Sequence, residues 1–130
     1  MKKKSKMNKY LILLILCSVL LSSIAQIVLK TGMSNTSVLS AIQSASAFQV
    51  FKTIATNFYV VGGLALYFAS AAVWLFVLAR VDVSFAYPFV GLGFVVTMFL
   101  AFLINGEVLS ATKVVGTLFI AVGVAIMAQG

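Results

Sequence analysis

The chain has 130 residues, of which 63% are hydrophobic and 8% are charged. A soluble domain of this length has too little interior to bury so much apolar surface, so the composition predicts a membrane protein. Nine Lys and Arg residues against two acids give a net charge of +7, but five of these cations fall within the first nine residues. The positive charge is therefore local, and we expect no nucleic-acid partner.

The residue types that build common catalytic and metal sites are scarce. There is no His, Cys17 is the only Cys, and Asp82 and Glu107 are the only acids. The chain cannot by itself assemble a Cys/His metal cluster, a Ser-His-Asp triad or a Cys-His pair. We therefore expect that the protein is not an enzyme and that it binds no metal and no cofactor.

Four apolar stretches approach the roughly 20 residues that a helix needs to cross about 30 Å of hydrocarbon. They cover about residues 10–29, 58–79, 85–104 and 111–128. These stretches predict an all-α membrane protein, with residues 1–130 forming a single four-helix transmembrane domain.

The distribution of cations predicts the orientation of the spans. Six cations lie on one side of the predicted membrane (Lys2, Lys3, Lys4, Lys6, Lys9 and Arg80), and three lie on the other (Lys30, Lys52 and Lys113). The positive-inside rule then places both termini in the cytoplasm. A basic start before an apolar run also fits a cleaved secretory signal, but the apolar stretch resumes at 27–29 and three spans follow, which favours an uncleaved first helix.

The long connection between the first two spans has a helical pattern of its own. Its larger apolar residues recur at multiples of three, opposite a polar face that includes Lys52; they are Ile42, Phe48, Phe51 and Ile54. This spacing predicts a short amphipathic helix at the periplasmic interface, within residues 34–55. A surface loop is the alternative interpretation.

Polar residues inside the first span are costly in lipid unless they are paired or face a cavity. Ser22, Gln26 and Lys30 are spaced by four, and Ser18 extends the series, so the four residues share one stripe of the helix. A stripe of donors that ends in a cation predicts a substrate-binding path for an anionic head group, and Arg80 is a candidate for first capture on the cytoplasmic side. Alternatively, the serines bond to their own helix, Gln26 bonds to a neighbouring helix and Lys30 extends to the interface.

Small residues and one proline mark the remaining spans. Pro88, with Gly91 and Gly93 soon after it, predicts a helix bend near the cytoplasmic end of the third span. Two small-residue faces predict close helix contacts: Gly62, Ala65, Ala69 and Ala72 in the second span, and Gly116 and Gly123 flanking Ile120 in the fourth. Because four helices enclose little volume, we interpret the face with Gly116, Ile120 and Gly123 as an oligomer interface. Packing within one chain is the alternative.

Three segments resemble motifs of the four-helix members of the drug/metabolite transporter superfamily. They are residues 22–30 (SSIAQIVLK), 83–88 (VSFAYP) and 105–109 (NGEVL), the last followed by Gly116 and Gly123. The resemblance covers essentially the whole chain apart from 31–57. Two branches of the superfamily are candidates for the resemblance.

Small multidrug resistance exporters carry a Glu eight residues before the Lys of the first helix, where this chain has Ser22, and a Trp where it has Val90. The chain is more similar to the subunits that flip undecaprenyl-phosphate-linked aminoarabinose, through Gln26, Lys30 and the Ala-Tyr-Pro that ends at Pro88. The resemblance implies a flippase or flippase subunit of the bacterial inner membrane, with Tyr87 among its substrate-binding residues.

The implied partners are a polyprenyl (undecaprenyl) phosphate-linked sugar, membrane lipid, and a second copy or a related four-helix subunit in a homodimer or heterodimer. A small multidrug or metabolite exporter and an accessory membrane subunit of a glycosyltransferase are the alternatives. No acid falls inside a span, so we expect movement down the substrate's own gradient without proton coupling.

Overall fold

The computed structural model describes residues 9–129, and this part of the chain is helical with no strand. Lys2, Lys3, Lys4 and Lys6, on which the predicted orientation largely depends, lie outside the described residues. The seven helices are α1 (Lys9–Met33), α2 (Thr36–Ser44), α3 (Ala47–Ala55), α4 (Phe58–Leu78), α5 (Val83–Ala86), α6 (Pro88–Asn105) and α7 (Ala111–Met127).

Three helical segments of the described chain are long and apolar enough to cross a membrane: α1, α4, and α5 with α6 taken together as Val83–Asn105. Helix α7 is apolar but has 17 residues, which corresponds to about 25 Å and is slightly short of the hydrocarbon thickness. The structure thus confirms an all-helical protein suited to a membrane. The fourth span stays a prediction.

Helix α1 lies at the centre of the arrangement. It packs against α4 on one side and α6 on the other, and α7 packs against α6. Ile15, Val19, Val77 and Ala86 form a small buried cluster where α1, α4 and α5 meet. The order of the long helices is therefore α4, α1, α6, α7.

Large apolar side chains cover the outer surface. Phe58, Phe68 and Phe119 are 84%, 77% and 72% exposed. A soluble protein of this size rarely exposes extended apolar patches, whereas hydrocarbon is a favourable solvent for them. The distribution of burial supports the same conclusion as the composition, that the protein is a membrane protein.

The directions of the helices follow from their contacts. A Cβ atom on Gly32 would lie 2.8 Å from Val60 Cγ2, whereas Ile15 clusters with Val77, so α4 runs antiparallel to α1. Ala86 also lies near Ile15, and Ser23 donates to the Gly93 carbonyl, so α6 runs parallel to α1. The C-terminal ends of α1 and α6 therefore lie at the same end of the bundle.

Helices α1 and α4 are joined by a reciprocal pair of buried hydrogen bonds. Ser18 Oγ donates to the Ser70 carbonyl at 2.9 Å, and Ser70 Oγ donates to the Ser18 carbonyl at 2.8 Å. Closer to the C-terminal end of α1, a Cβ atom on Gly63 would lie 2.8 Å from Leu29 Cγ. Polar pairing and close approach together fix the face of α4 that meets α1.

The small-residue face predicted on α4 is not the face that meets α1. The buried residues of α4 are Val60, Gly63, Ser70 and Val77, whereas Ala65, Ala69 and Ala72 are exposed. The space around a Cβ on Gly62 is open within the described chain. The face of α4 that meets α1 carries Ser70, whose hydroxyl pairs with Ser18. The alanine face has no polar group that could form such a pair.

The segment between α1 and α4 forms two short helices rather than the single one predicted. The chain is extended at Ala45 and Ser46, with ψ angles of 162° and 160°, which separates α2 from α3. Helix α2 buries Val38, whereas α3 buries none of its residues and exposes Phe48 and Phe51. The predicted single helix is therefore replaced by two, and their position at the periplasmic interface stays a prediction.

The third span is interrupted at its proline, although Tyr87 keeps helical backbone angles (φ −62°, ψ −38°), and the predicted bend at Pro88, Gly91 and Gly93 stays a prediction. The helical assignment is interrupted at Tyr87, between α5 and α6, because Pro88 has no N–H to donate to the preceding turn. Helix α6 is continuous through Gly91 and Gly93, so these two glycines do not interrupt it. Gly91 instead permits close contact with α7, since a Cβ there would lie 2.8 Å from Val124 Cγ2.

Candidate functional site

A groove of about 670 Å³ runs between α1 and α6. Helix α4 contributes one side chain to it, and the α6–α7 connection and the first turn of α7 complete one end. The residues that line the groove are Ser22, Ser23, Gln26, Ile27, Lys30, Tyr67, Val90, Gly93, Phe94, Thr97, Met98, Ala101, Asn105, Glu107 and Lys113.

The four-residue spacing on α1 accounts for the polar wall of the groove. Ser22, Gln26 and Lys30 lie one above the other on the face toward α6, and all three line the groove. Gln26 and Lys30 are exposed, so their amide and ammonium groups are accessible to a ligand. The structure therefore brings together these three predicted substrate-binding residues.

The serines of α1 are engaged mainly with the backbone. Ser22 and Ser23 each donate to the Val19 carbonyl at 2.9 Å, as hydroxyls in apolar helices commonly do. Ser18 is buried against Ser70 and does not line the groove. It lines a smaller adjoining cavity of about 200 Å³ that extends toward Trp74.

The end of the groove near Lys30 is built by a helix reversal. Gly106 ends α6 in the left-handed conformation, with a φ of 66°, a region that glycine enters without strain. Ser110 then caps α7, and its Oγ accepts from the Lys113 N–H. This reversal brings Asn105, Glu107 and Lys113 to the groove end that Lys30 occupies. We call this end, defined by Lys30, Asn105, Glu107 and Lys113, the groove mouth.

The groove mouth is net positive. It contains two cations, Lys30 and Lys113, against one carboxylate, Glu107. The Asn105 side chain adds a buried Nδ2 atom that has no hydrogen-bond partner among the described residues. An anionic group with several acceptor oxygens suits this combination of ammonium and amide donors.

Comparisons with protein-family models, curated protein sequences and solved structures find no match. The site is therefore interpreted from its own geometry. Across residues 9–129 no three His, Cys, Asp or Glu side chains are grouped so that they could hold a metal ion.

Two predicted substrate-binding residues lie away from the groove. Arg80 is exposed in the connection that follows α4, at the end of the bundle opposite to Lys30, because α4 is antiparallel to α1. Tyr87 is 64% exposed at the helix interruption. Neither side chain lines the groove or the adjoining cavity.

Of the three residues of the predicted oligomer interface, Gly116 and Gly123 are open and Ile120 is in contact with α6. A Cβ atom on Gly116 or Gly123 would meet nothing within 4 Å in the described chain. Ile120 differs, because its Cγ2 would lie 3.4 Å from a Cβ on Gly91. Ile120 therefore contributes to packing between α7 and α6, and the two glycines present an open surface beside it.

Asn105, Lys113 and Thr97 line the groove but were not predicted from the sequence, and Glu107, predicted only to lie outside the spans, lines it as well. A usable signal was present in Asn105-Gly106, because Gly after an apolar helical run marks a helix end. A chain that reverses there returns Lys113 to the same end as Lys30. The predicted spans already place Lys30 and Lys113 on the same side of the membrane, but the sequence pattern does not show that α1 and α6 lie side by side.

Proposed function

We propose that the protein is a flippase, or one subunit of a flippase, for a polyprenyl (undecaprenyl) phosphate-linked sugar. In this proposal the substrate moves from the cytoplasmic to the periplasmic leaflet of the bacterial inner membrane. The observation that carries the proposal is the groove in which Ser22, Gln26 and Lys30 align toward a net-positive mouth. The resemblance of residues 22–30 and 83–88 to flippase motifs supports the same function.

The chemistry of such a substrate matches a groove on a membrane protein. A polyprenyl tail is stable in hydrocarbon, so the protein needs to shelter only the phosphate and the sugar. Hydroxyl and amide groups suit the sugar, and ammonium groups suit the phosphate. A volume of about 670 Å³ falls within the range of about 300–1,000 Å³ that small-molecule sites occupy.

The proposed topology has four spans with both termini in the cytoplasm. Helix α7 serves as the fourth span, since a short helix is accommodated by local thinning of the bilayer at modest cost. Helices α2 and α3 then lie at the periplasmic surface, where Phe48 and Phe51 insert into lipid and Lys52 faces the head groups. The groove mouth is periplasmic in this orientation.

The topology predicts the labelling of single cysteines in a background where Cys17 is replaced by Ser. Ser44→Cys should react with a membrane-impermeant maleimide on intact spheroplasts, because Ser44 is exposed at the end of α2. Ser5→Cys should react only after permeabilisation. Equal labelling of Ser44→Cys from both sides would show dual insertion and contradict the single orientation.

A reconstituted flipping assay tests the function. A prenyl-phosphate-linked hexose is incorporated into liposomes with or without the protein, and membrane-impermeant periodate oxidises the sugar that reaches the outer leaflet. Protein-containing vesicles should lose essentially all of the substrate, whereas protein-free vesicles should lose only the outer-leaflet fraction. Equal oxidation in both preparations contradicts the proposal. Copurification with a glycosyltransferase, without flipping, would favour an accessory subunit.

Transport is expected to proceed without a pH gradient. Asp82 and Glu107 are the only acids of the chain. Asp82 lies outside the groove, and Glu107 lines only its mouth, where it is exposed outside the helices, so no acid is buried within a span to alternate between a proton and the substrate. Initial flipping rates at zero membrane potential should be equal with and without an imposed pH gradient. Strict dependence on the gradient would instead favour a proton-coupled exporter.

A further inference from the structure

The groove mouth contains binding groups that the α1 stripe does not supply. Lys113 comes from the first turn of α7 and Asn105 from the last turn of α6, and both line the groove beside Lys30. We infer that Lys113 and Asn105 complete, with Lys30, a phosphate-binding site at the groove mouth. This inference rests on the proposed function and names the residues that hold the anionic part of its substrate.

The amide of Asn105 is the first independent observation. Its Nδ2 atom is buried and lacks a hydrogen-bond partner among the described residues, although the side chain lines the groove. A buried donor without a partner destabilises a protein, and most such donors in folded proteins are paired. A rotation of the Asn105 side chain toward the groove would let a phosphate oxygen accept from this amide and remove the penalty.

The placement of the two lysines is the second observation. Lys30 and Lys113 belong to different helices and are brought together only by the reversal at Gly106. Both are exposed, so neither is committed to packing. An anion bound at the groove mouth would be attracted by both ammonium groups. Glu107 neutralises only one of the two charges.

Equilibrium binding in nanodiscs of zwitterionic phosphatidylcholine tests the inference, with farnesyl phosphate as the probe and farnesol as its uncharged counterpart. Lys113→Met and Asn105→Leu should each weaken farnesyl phosphate binding about tenfold or more, because each removes a donor to a charged acceptor. Farnesol binding should not change. Lys113→Arg should retain most of the affinity, and Lys52→Met, which removes an exposed lysine outside the groove, should bind as the wild type does.

The stability of the Asn105 variant separates a binding role from a structural one. Replacing an unpartnered buried amide with Leu should raise the unfolding temperature while it weakens phosphate binding. A structural asparagine would show the reverse, lower stability with unchanged binding, and that result would overturn the role of Asn105. Asn105→Ala repeats the binding test with a smaller side chain.

The outcomes distinguish this inference from the proposed function. If Lys30→Met weakens farnesyl phosphate binding but Lys113→Met and Asn105→Leu do not, the three-residue site is overturned and the flippase proposal stands. If the wild type binds farnesyl phosphate no better than farnesol, both are overturned. Weakened binding in all three variants, with farnesol unaffected, supports the site.

Discussion

Replacing Lys30 with Met is expected to lower the initial flipping rate at least about tenfold, with folded protein at normal abundance. Lys30 is exposed and lines the groove, so its removal costs little packing. A phosphate that passes through the groove loses a charge-assisted hydrogen bond, and such a loss corresponds to about tenfold or more. The periodate assay in reconstituted vesicles measures the rate, and size-exclusion chromatography measures the folded fraction.

Two matched variants make the Lys30 experiment specific. Lys52→Met removes an exposed lysine of α3 that is predicted to lie on the same side of the membrane but does not line the groove. This variant should flip substrate at the wild-type rate. Lys30→Arg keeps the charge and should retain most of the rate. Normal flipping by Lys30→Met at normal abundance would mean that the α1 stripe has only a structural role.

Substituting Gly63 with Val should destabilise the protein by about 1–3 kcal/mol, the usual cost of overpacking a close contact. A Cβ atom at this position would lie 2.8 Å from Leu29 Cγ and 3.1 Å from the Leu29 backbone nitrogen. The Leu29 side chain can rotate away, but its backbone nitrogen is held in α1 and cannot. The expected result is a lower unfolding temperature in detergent, because α4 can no longer approach α1 as closely.

The adjacent Gly62 provides the control for this substitution. A Cβ atom on Gly62 would meet nothing within 4 Å in the described chain, and the intrinsic change from Gly to Val within α4 is the same. Gly62→Val should therefore leave the unfolding temperature close to that of the wild type. Equal losses from both substitutions would contradict the face of α4 that the structure places against α1.

The helical class and the polar stripe could be predicted from the sequence because both depend on local regularities. Long apolar runs indicate that the chain lies in a membrane. Residues spaced by four, such as Ser22, Gln26 and Lys30, share one face of a helix whatever packs against that helix. These three residues line the groove in the structure. The identity of the ligand does not follow from the same pattern.

Features that depend on the packing of two helices could not be predicted in the same way. Helix α4 has two faces that carry small residues, and the one that meets α1 is identified by contacts such as the reciprocal hydrogen bonds between Ser18 and Ser70. Lys113 lies 83 positions after Lys30 in the sequence, and its place in the groove mouth follows from the parallel direction of α1 and α6. The predicted alternation of the spans already places Lys30 and Lys113 on the same side of the membrane, but it does not show that α1 and α6 pack against each other.

The position of the head group during transport is the most direct test of the proposed substrate path. A prenyl-phosphate-linked sugar with a diazirine on the sugar can be photoactivated in reconstituted vesicles, and the labelled residues can be mapped by mass spectrometry. If the substrate passes through the groove, groove residues such as Gln26, Thr97 and Met98 should be labelled, and this labelling should fall when excess unlabelled substrate is added. Labelling confined to the outward face of α1, where Leu13, Leu20 and Ile24 are exposed, would contradict this path, as would labelling that excess substrate does not reduce.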